Sequence, residues 1–242
     1  MSGFTFNGTA SSTYDIISTS RTSQVLPEVN DRYLQIPGRD GSYLFDGELA
    51  DRIIEVECAI NKDTLANLSA EIRDVAAWLH TTERKALVFD DESSLTYQAK
   101  VEGEINLEQI ASLGRFTIIF RCSPFAYGTE VTENFASDAA TANNTGTYEA
   151  LPTFNATFTD TASEWKVTLG SKFVRVVHSF QIGDTLEVNH STGAVIINGS
   201  RALDKLDWQN SEFFSLAVGN NSLAITPTGK CTASVTFTPR WL

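Results

Sequence analysis

Apolar and polar positions change their period several times along this chain, and each change marks an element. Phe4-Thr5-Phe6 alternates and stops at Asn7-Gly8, the pattern of a short strand closed by a turn. A second short run covers residues 14–19. Between Pro37 and the cluster Tyr43-Leu44-Phe45 lies Gly38-Arg39-Asp40-Gly41, a composition that favours a tight turn between strands. Residues 52–60 alternate, with Ile53, Cys58 and Ile60 set among Glu55 and Glu57. Ile54 and Val56 add apolar groups to the charged face, which predicts a strand partly covered on both sides.

Helical spacing follows. Leu65, Leu68, Ile72, Val75, Ala76 and Leu79 predict a helix over about residues 64–80, capped by Asn61 or Asp63, with Glu71, Arg73 and Asp74 outward. Trp78 widens the apolar stripe, so the helix is expected to lie across a sheet. Strands are predicted at 86–89, 96–102 and 115–121. The last reads Phe116-Thr117-Ile118-Ile119-Phe120, apolar on both faces and therefore central.

Large apolar groups then thin out. Residues 129–149, with Ala139-Ala140-Thr141-Ala142-Asn143-Asn144-Thr145-Gly146, read as a linker or extended crossover. Beyond Leu151, short alternating strands recur at 153–158, 165–169, 173–177, 185–188, 195–198, 222–226 and 233–238. Turn signals such as Ile182-Gly183-Asp184, Asn198-Gly199 and Gly219-Asn220-Asn221 separate them, the signature of a β-sandwich. The expectation is a mainly β chain with one main helix: a β domain over 1–128, a linker over 129–149 and a sandwich over 150–242.

Composition narrows the partners. A chain of 242 residues can bury two cores, and 20% charged against 42% hydrophobic residues is a globular balance. The formal net charge of −12 is spread over both halves, with 19 acidic and 11 basic residues before Gly128 and 11 and 7 after it. No basic domain is hidden in the average, which argues against gripping nucleic acid phosphates. Cys58, Cys122 and Cys231 are too few and too far apart for a disulfide framework or a paired zinc site, and read as small buried hydrophobes. Met1-Ser2-Gly3-Phe4 lacks a charged leader region and no apolar run is long enough to span a bilayer. Synthesis and folding in the cytoplasm are therefore expected.

Candidate chemistry is sparse. His80, His178 and His190 lack metal-ligand spacing, no Gly-x-Ser-x-Gly elbow accompanies them, and Gly229-Lys230 lacks the first glycine of a phosphate loop. No catalytic, cofactor or metal residues are predicted. Asp90-Asp91-Glu92 is the one dense acidic cluster, and carboxylates so placed serve a glycosidase or bind calcium; the competing reading is an acidic turn after a strand. Trp165 and Trp208, with Tyr148 and Phe213-Phe214, suit either a sugar-stacking groove or a core. In Cys122-Ser123-Pro124-Phe125-Ala126-Tyr127, the residues Pro124, Phe125 and Tyr127 form either a plain strand end or an anchor clamping a linker or neighbouring subunit.

The order of these pieces resembles one family. Gly3-Phe4-Thr5-Phe6-Asn7-Gly8, the Gly38-Arg39-Asp40-Gly41 turn, Ala77-Trp78-Leu79, Phe89-Asp90-Asp91-Glu92 and Cys122-Ser123-Pro124-Phe125-Ala126-Tyr127 are followed by Leu151-Pro152, Val218-Gly219-Asn220-Asn221 and Arg240-Trp241. Together they are similar to the distal tail proteins of long, non-contractile-tailed phages. Asn189-His190-Ser191 departs from the pattern, since similar proteins often place an Asp directly after that strand. The resemblance implies a β-barrel-like ring domain with a helix and a C-terminal galectin-like β-sandwich. It implies no enzyme and no cofactor, but a homo-hexamer, single or as a stacked double ring, at the virion tail tip. Its partners would be the tail tube protein, the tail-tip protein and the receptor-binding protein, with DNA passing through the lumen without specific binding. A carbohydrate-binding module for host cell-wall glycans is the alternative.

Overall fold

The structure, a computed structural model, describes residues 3–242; Met1 and Ser2, part of the leader reading, lie outside the described residues. The chain divides into two compact units, Met1–Tyr127 with Leu242, and Gly128–Trp241.

The first unit holds β1 (Phe4–Phe6), β2 (Thr9–Ala10), β3 (Ile16–Ser23), β4 (Val29–Gln35), β5 (Ser42–Leu49), β6 (Arg52–Asn61), α1 (Leu65–Leu79), β7 (Lys85–Phe89), β8 (Thr96–Val101), β9 (Glu108–Ile110) and β10 (Leu113–Tyr127). One antiparallel sheet runs β2-β1-β7-β8-β10-β6-β3, with β9 on the stretch of β10 that β8 leaves free. β10 is central as expected, but it is covered on one face only: Arg115, Thr117 and Arg121 on the other face are exposed. Its Phe116, Ile118 and Phe120 pair with Cys58, Val56 and Ile54 of β6, so these side chains share the inward face. Leu68, Val75, Trp78 and Leu79 of α1 are buried with them. The Trp78 ring lies 5.8 Å from Phe4 and 4.9 Å from Tyr14, and its Nε1 donates to the Phe6 carbonyl at 3.0 Å. That bond lets an indole sit at the centre of a core without an orphaned donor. The helix is capped by Thr64, not by Asn61 or Asp63. Thr64 directly precedes the first helical residue with an extended backbone, and its Oγ1 accepts from the Asn67 amide at 3.2 Å.

The second unit holds β11 (Val131–Asn134), β12 (Ala139–Asn144), β13 (Thr153–Phe158), β14 (Ala162–Leu169), β15 (Lys172–Phe180), β16 (Thr185–Asn189), β17 (Ala194–Ile197), β18 (Ser200–Arg201), β19 (Gly219–Thr226) and β20 (Cys231–Phe237). They form two sheets, β11-β20-β13-β16-β17-β18 and β12-β19-β14-β15, around one core that includes Phe154, Phe158, Trp165, Phe180, Leu223 and Val235. Residues 129–149, expected as a linker, instead supply an edge strand to each sheet. Edge strands need few large side chains, and the polar composition conceals real burial. Asn144 is enclosed, and its Nδ2 donates to the carbonyls of Tyr148 and Leu216 at 2.9 and 3.1 Å. The last strand, Arg240–Trp241, returns to the start of the unit. Arg240 O accepts from the amides of Thr147 and Tyr148, and Pro239 O accepts from the Gly128 amide at 3.0 Å.

Candidate functional site

The most unusual surface belongs to β4 and β5. They pair only with each other among the described residues and form a hairpin arm inserted between β3 and β6. At about 3.4 Å per residue, the seven residues of β4 extend about 24 Å. The Gly38-Arg39-Asp40-Gly41 turn is the arm's tip: Gly38 and Gly41 take φ of +84° and +82°, which L side chains avoid, and the Arg39 guanidinium lies 3.9 Å from the Tyr43 ring centroid. Register shifts between Asn30 and Arg32, and Gly47 faces the shift. A Cβ on Gly47 would fall 2.9 Å from the Asn30 carbonyl and the Asp31 amide.

Both faces of the arm are apolar. Tyr33 pairs with Leu44, putting both on one face, while Leu34 pairs with Tyr43 and Arg32 with Phe45 on the other. Tyr33, Leu44 and Phe45 are 63%, 61% and 53% exposed, and Val25, Leu26, Val29, Leu34, Ile36 and Tyr43 are exposed as well. A lone hairpin is marginally stable in water, and one with apolar groups on both sides gains from cover on both. Sequence reasoning found the tip and the Tyr43-Leu44-Phe45 cluster, but not the exposed row. The signal was present in the apolar residues on both parities of β4 and β5.

The Asp90-Asp91-Glu92 cluster forms a turn of 3₁₀ helix after β7. Its carboxylates are engaged: Asp90 accepts from the Gly3 amide at 2.7 Å, Asp91 takes both Arg21 terminal nitrogens at 3.1 and 3.0 Å, and Glu92 lies 3.6 Å from Arg21 Nη1. The same guanidinium sits 4.3 Å from the Phe89 ring centroid. The cluster is thus a tie between β3 and β7. Pro124, Phe125 and Tyr127 are half-buried and still within β10, where its pairing with β8 shifts between Cys122 and Ala126.

In the sandwich the two candidate tryptophans separate. Trp165 is 0% exposed and belongs to the core, whereas Trp208 is 75% exposed on the segment between β18 and β19. They cannot line one groove. Phe214 is buried and Phe213 packs against the same core. His190 is buried among Phe154, Phe213 and Phe214, its Nδ1 lying 2.8 Å from the Phe214 carbonyl and 3.1 Å from its amide. Burial pushes its pKa down to about 4, so the ring is neutral at physiological pH. Burial pushes the Cys58 and Cys122 thiols up to about 12, which makes them inert. Among the described residues no group of three or more His, Cys, Asp or Glu side chains is arranged to hold a metal, and no helix is long and apolar enough to cross a membrane.

Residues 11–122 match the phage tail protein RIFT-related domain, and residues 145–241 match the C-terminal domain of the siphovirus-type tail component. Over 184 residues the chain is 30% identical to the distal tail protein of Bacillus phage SPP1, covering 72% of this chain and 73% of that protein. The chain belongs to the phage distal tail protein family. The crystal structure of the SPP1 Dit protein, 23% identical and matched over 100% of both chains, superposes with a TM-score of 0.85, so the fold is that of a solved distal tail protein. Within this distal tail protein, Asn189 stands where an Asp was expected. Its Oδ1 accepts from the amides of Ser191 and Thr192 at 2.9 and 3.0 Å, closing the turn as a carboxylate would.

Proposed function

We propose that this chain is the hub of a phage tail tip. In this reading it is a homo-hexameric ring, single or stacked as a double ring, between the tail tube protein and the tail-tip and receptor-binding proteins. It assembles in the host cytoplasm and acts through surfaces, without catalysis. The observation that carries the reading is the arm. Apolar side chains on both its faces lack cover among the described residues, and a second copy supplies that cover while offering its own arm onward. Such a head-to-tail contact generates a ring when its rotation closes. β3, at the end of the sheet path, adds an edge where a neighbouring strand can continue the ladder. The name of the SPP1 relative supports placing the ring at the distal tail.

Passage of DNA without binding is consistent with the charge of this chain. Its net charge is −12, and the outward side of β6 and β10 displays Glu55 and Glu57 beside Thr117. Glu57, Glu104 and Glu108 outnumber Arg115 around an open cleft of about 730 Å³ there. Carboxylates repel a polyanion and release no counterions to hold it.

Light scattering behind size exclusion, paired with negative-stain images, tests the reading. A particle near six or twelve times 26.5 kDa with a central hole is expected. A chain that stays monomeric at high concentration, alone and with its tail-tube partner, would overturn it.

A further inference from the structure

The inward row of β6 reads Arg52, Ile54, Val56, Cys58 and Ile60, all buried. Four of these are apolar, and the fifth is an arginine only 6% exposed. Its partners are neutral. Nε donates to the Pro124 carbonyl at 3.2 Å and Nη1 to the Gln24 carbonyl at 2.9 Å, while Nη2 is enclosed without a partner among the described residues. The adjacent carboxylate, Asp51, is turned to Arg84 at 2.6 Å and Arg121 at 3.6 Å. A desolvated cation without a counter-charge is a costly way to fill a core position, and an apolar side chain of similar volume would pack there more cheaply. What arginine adds is a rigid fork that fixes separate backbone segments at once.

Those segments meet where the arm leaves the body. Gln24 follows β3 and leads into β4, Arg52 opens β6 on the return, and Pro124 lies in β10. The hold is reciprocal: Gln24 Oε1 accepts from the Ile53 amide at 3.2 Å, and one step further out the Ala50 amide donates to the Glu28 carbonyl at 2.8 Å. Both chain passes at the root are therefore pinned to each other and to the central strand.

We infer that Arg52 is a positioning residue that sets the direction in which the arm projects. It thereby sets the readiness of a subunit to engage its neighbour, an inference that rests on the ring reading above. An arm free to swing must be ordered at the moment of contact; an arm already aimed loses less entropy on assembly.

The test uses the full chain with spin labels at Ser42→Cys near the arm tip and Arg73→Cys on α1, in a Cys231→Ser background, diluted with unlabelled protein so that only distances within a subunit are read. With Arg52 present a narrow distance distribution is expected. Arg52→Met, which keeps the volume without the fork, should broaden it and raise the concentration for half-assembly about tenfold, with the thermal midpoint held. Arg52→Lys should fall between. Should Arg52→Met fail to fold, Gln24→Ala decides, because it removes the acceptor for the Ile53 amide from an exposed side chain and should broaden the distribution likewise. Parent-width distributions and parent assembly in the folded variants would overturn the inference. A parent chain that never assembles would overturn the ring reading instead, and the distance widths would still decide whether Arg52 holds the arm.

Discussion

His190 makes the stability of the sandwich depend on pH in a window of its own. The ordinary histidine pKa is about 6.5, and burial lowers that of His190 to about 4. Between these values the unfolded chain binds a proton that the folded chain refuses. The contribution is complete above pH 6.5 and is lost as pH falls toward 4. With 1.36 kcal/mol per unit, the loss works out to about 2 kcal/mol at pH 5 and about 3 kcal/mol at pH 4. Asp160, Asp184 and Asp204 also have lowered pKa values, through hydrogen bonds led by Lys230, the Gln181 amide and Lys205 respectively. Their unfolded value of about 3.9 places their losses below this window, so the two regimes separate. Urea unfolding of the sandwich at pH 7, 6 and 5 should show the decline, and a His190→Gln variant, which cannot titrate, should flatten it. An NMR titration in which the His190 ring protonates near pH 6.5 in the folded protein would refute the reasoning.

Leu44→Ser with Phe45→Ser removes two half-exposed apolar groups from the arm. At about 1 kcal/mol each, their loss should raise the half-assembly concentration by roughly thirtyfold, read by light scattering, with the monomer's circular dichroism unchanged. Trp78→Ala should destabilise the first unit by about 3–5 kcal/mol, because it empties the centre of the Phe4, Phe6 and Tyr14 cluster and removes the indole donor to the Phe6 carbonyl; denaturant unfolding measures it. Millimolar calcium should leave the melting temperature unchanged, since Arg21 already engages Asp91 and Glu92, and a calcium-dependent rise would contradict that assignment.

What the sequence discloses here depends on whether burial leaves a periodic trace. α1 was legible because one face of it is apolar at the period of its backbone, whereas the faces of β6 were misread: Ile54 and Val56, assigned to the charged face, lie inward with Cys58 and Ile60, away from Glu55 and Glu57. β11 and β12 were not legible: they are edge strands, and Asn144 is buried through hydrogen bonds that no hydrophobicity pattern reports. Arg52 stayed hidden for a related reason, since a charged residue at the start of a strand reads as surface until its carbonyl partners, distant in sequence, are seen to converge. Trp165 and Trp208 are chemically equal in the sequence and opposite in the fold; only the register of β14 against β15 and β19 places one of them inside.

The hydrogen bond from the Gly128 amide to the Pro239 carbonyl joins the way into the second unit to the way out. A segment whose two ends lie side by side can be lifted out and another set in its place without rethreading the rest of the chain. Phage lineages would then be free to trade the second unit by recombination at two sites, one near each end of residues 128–241, while the arm-bearing first unit is inherited intact.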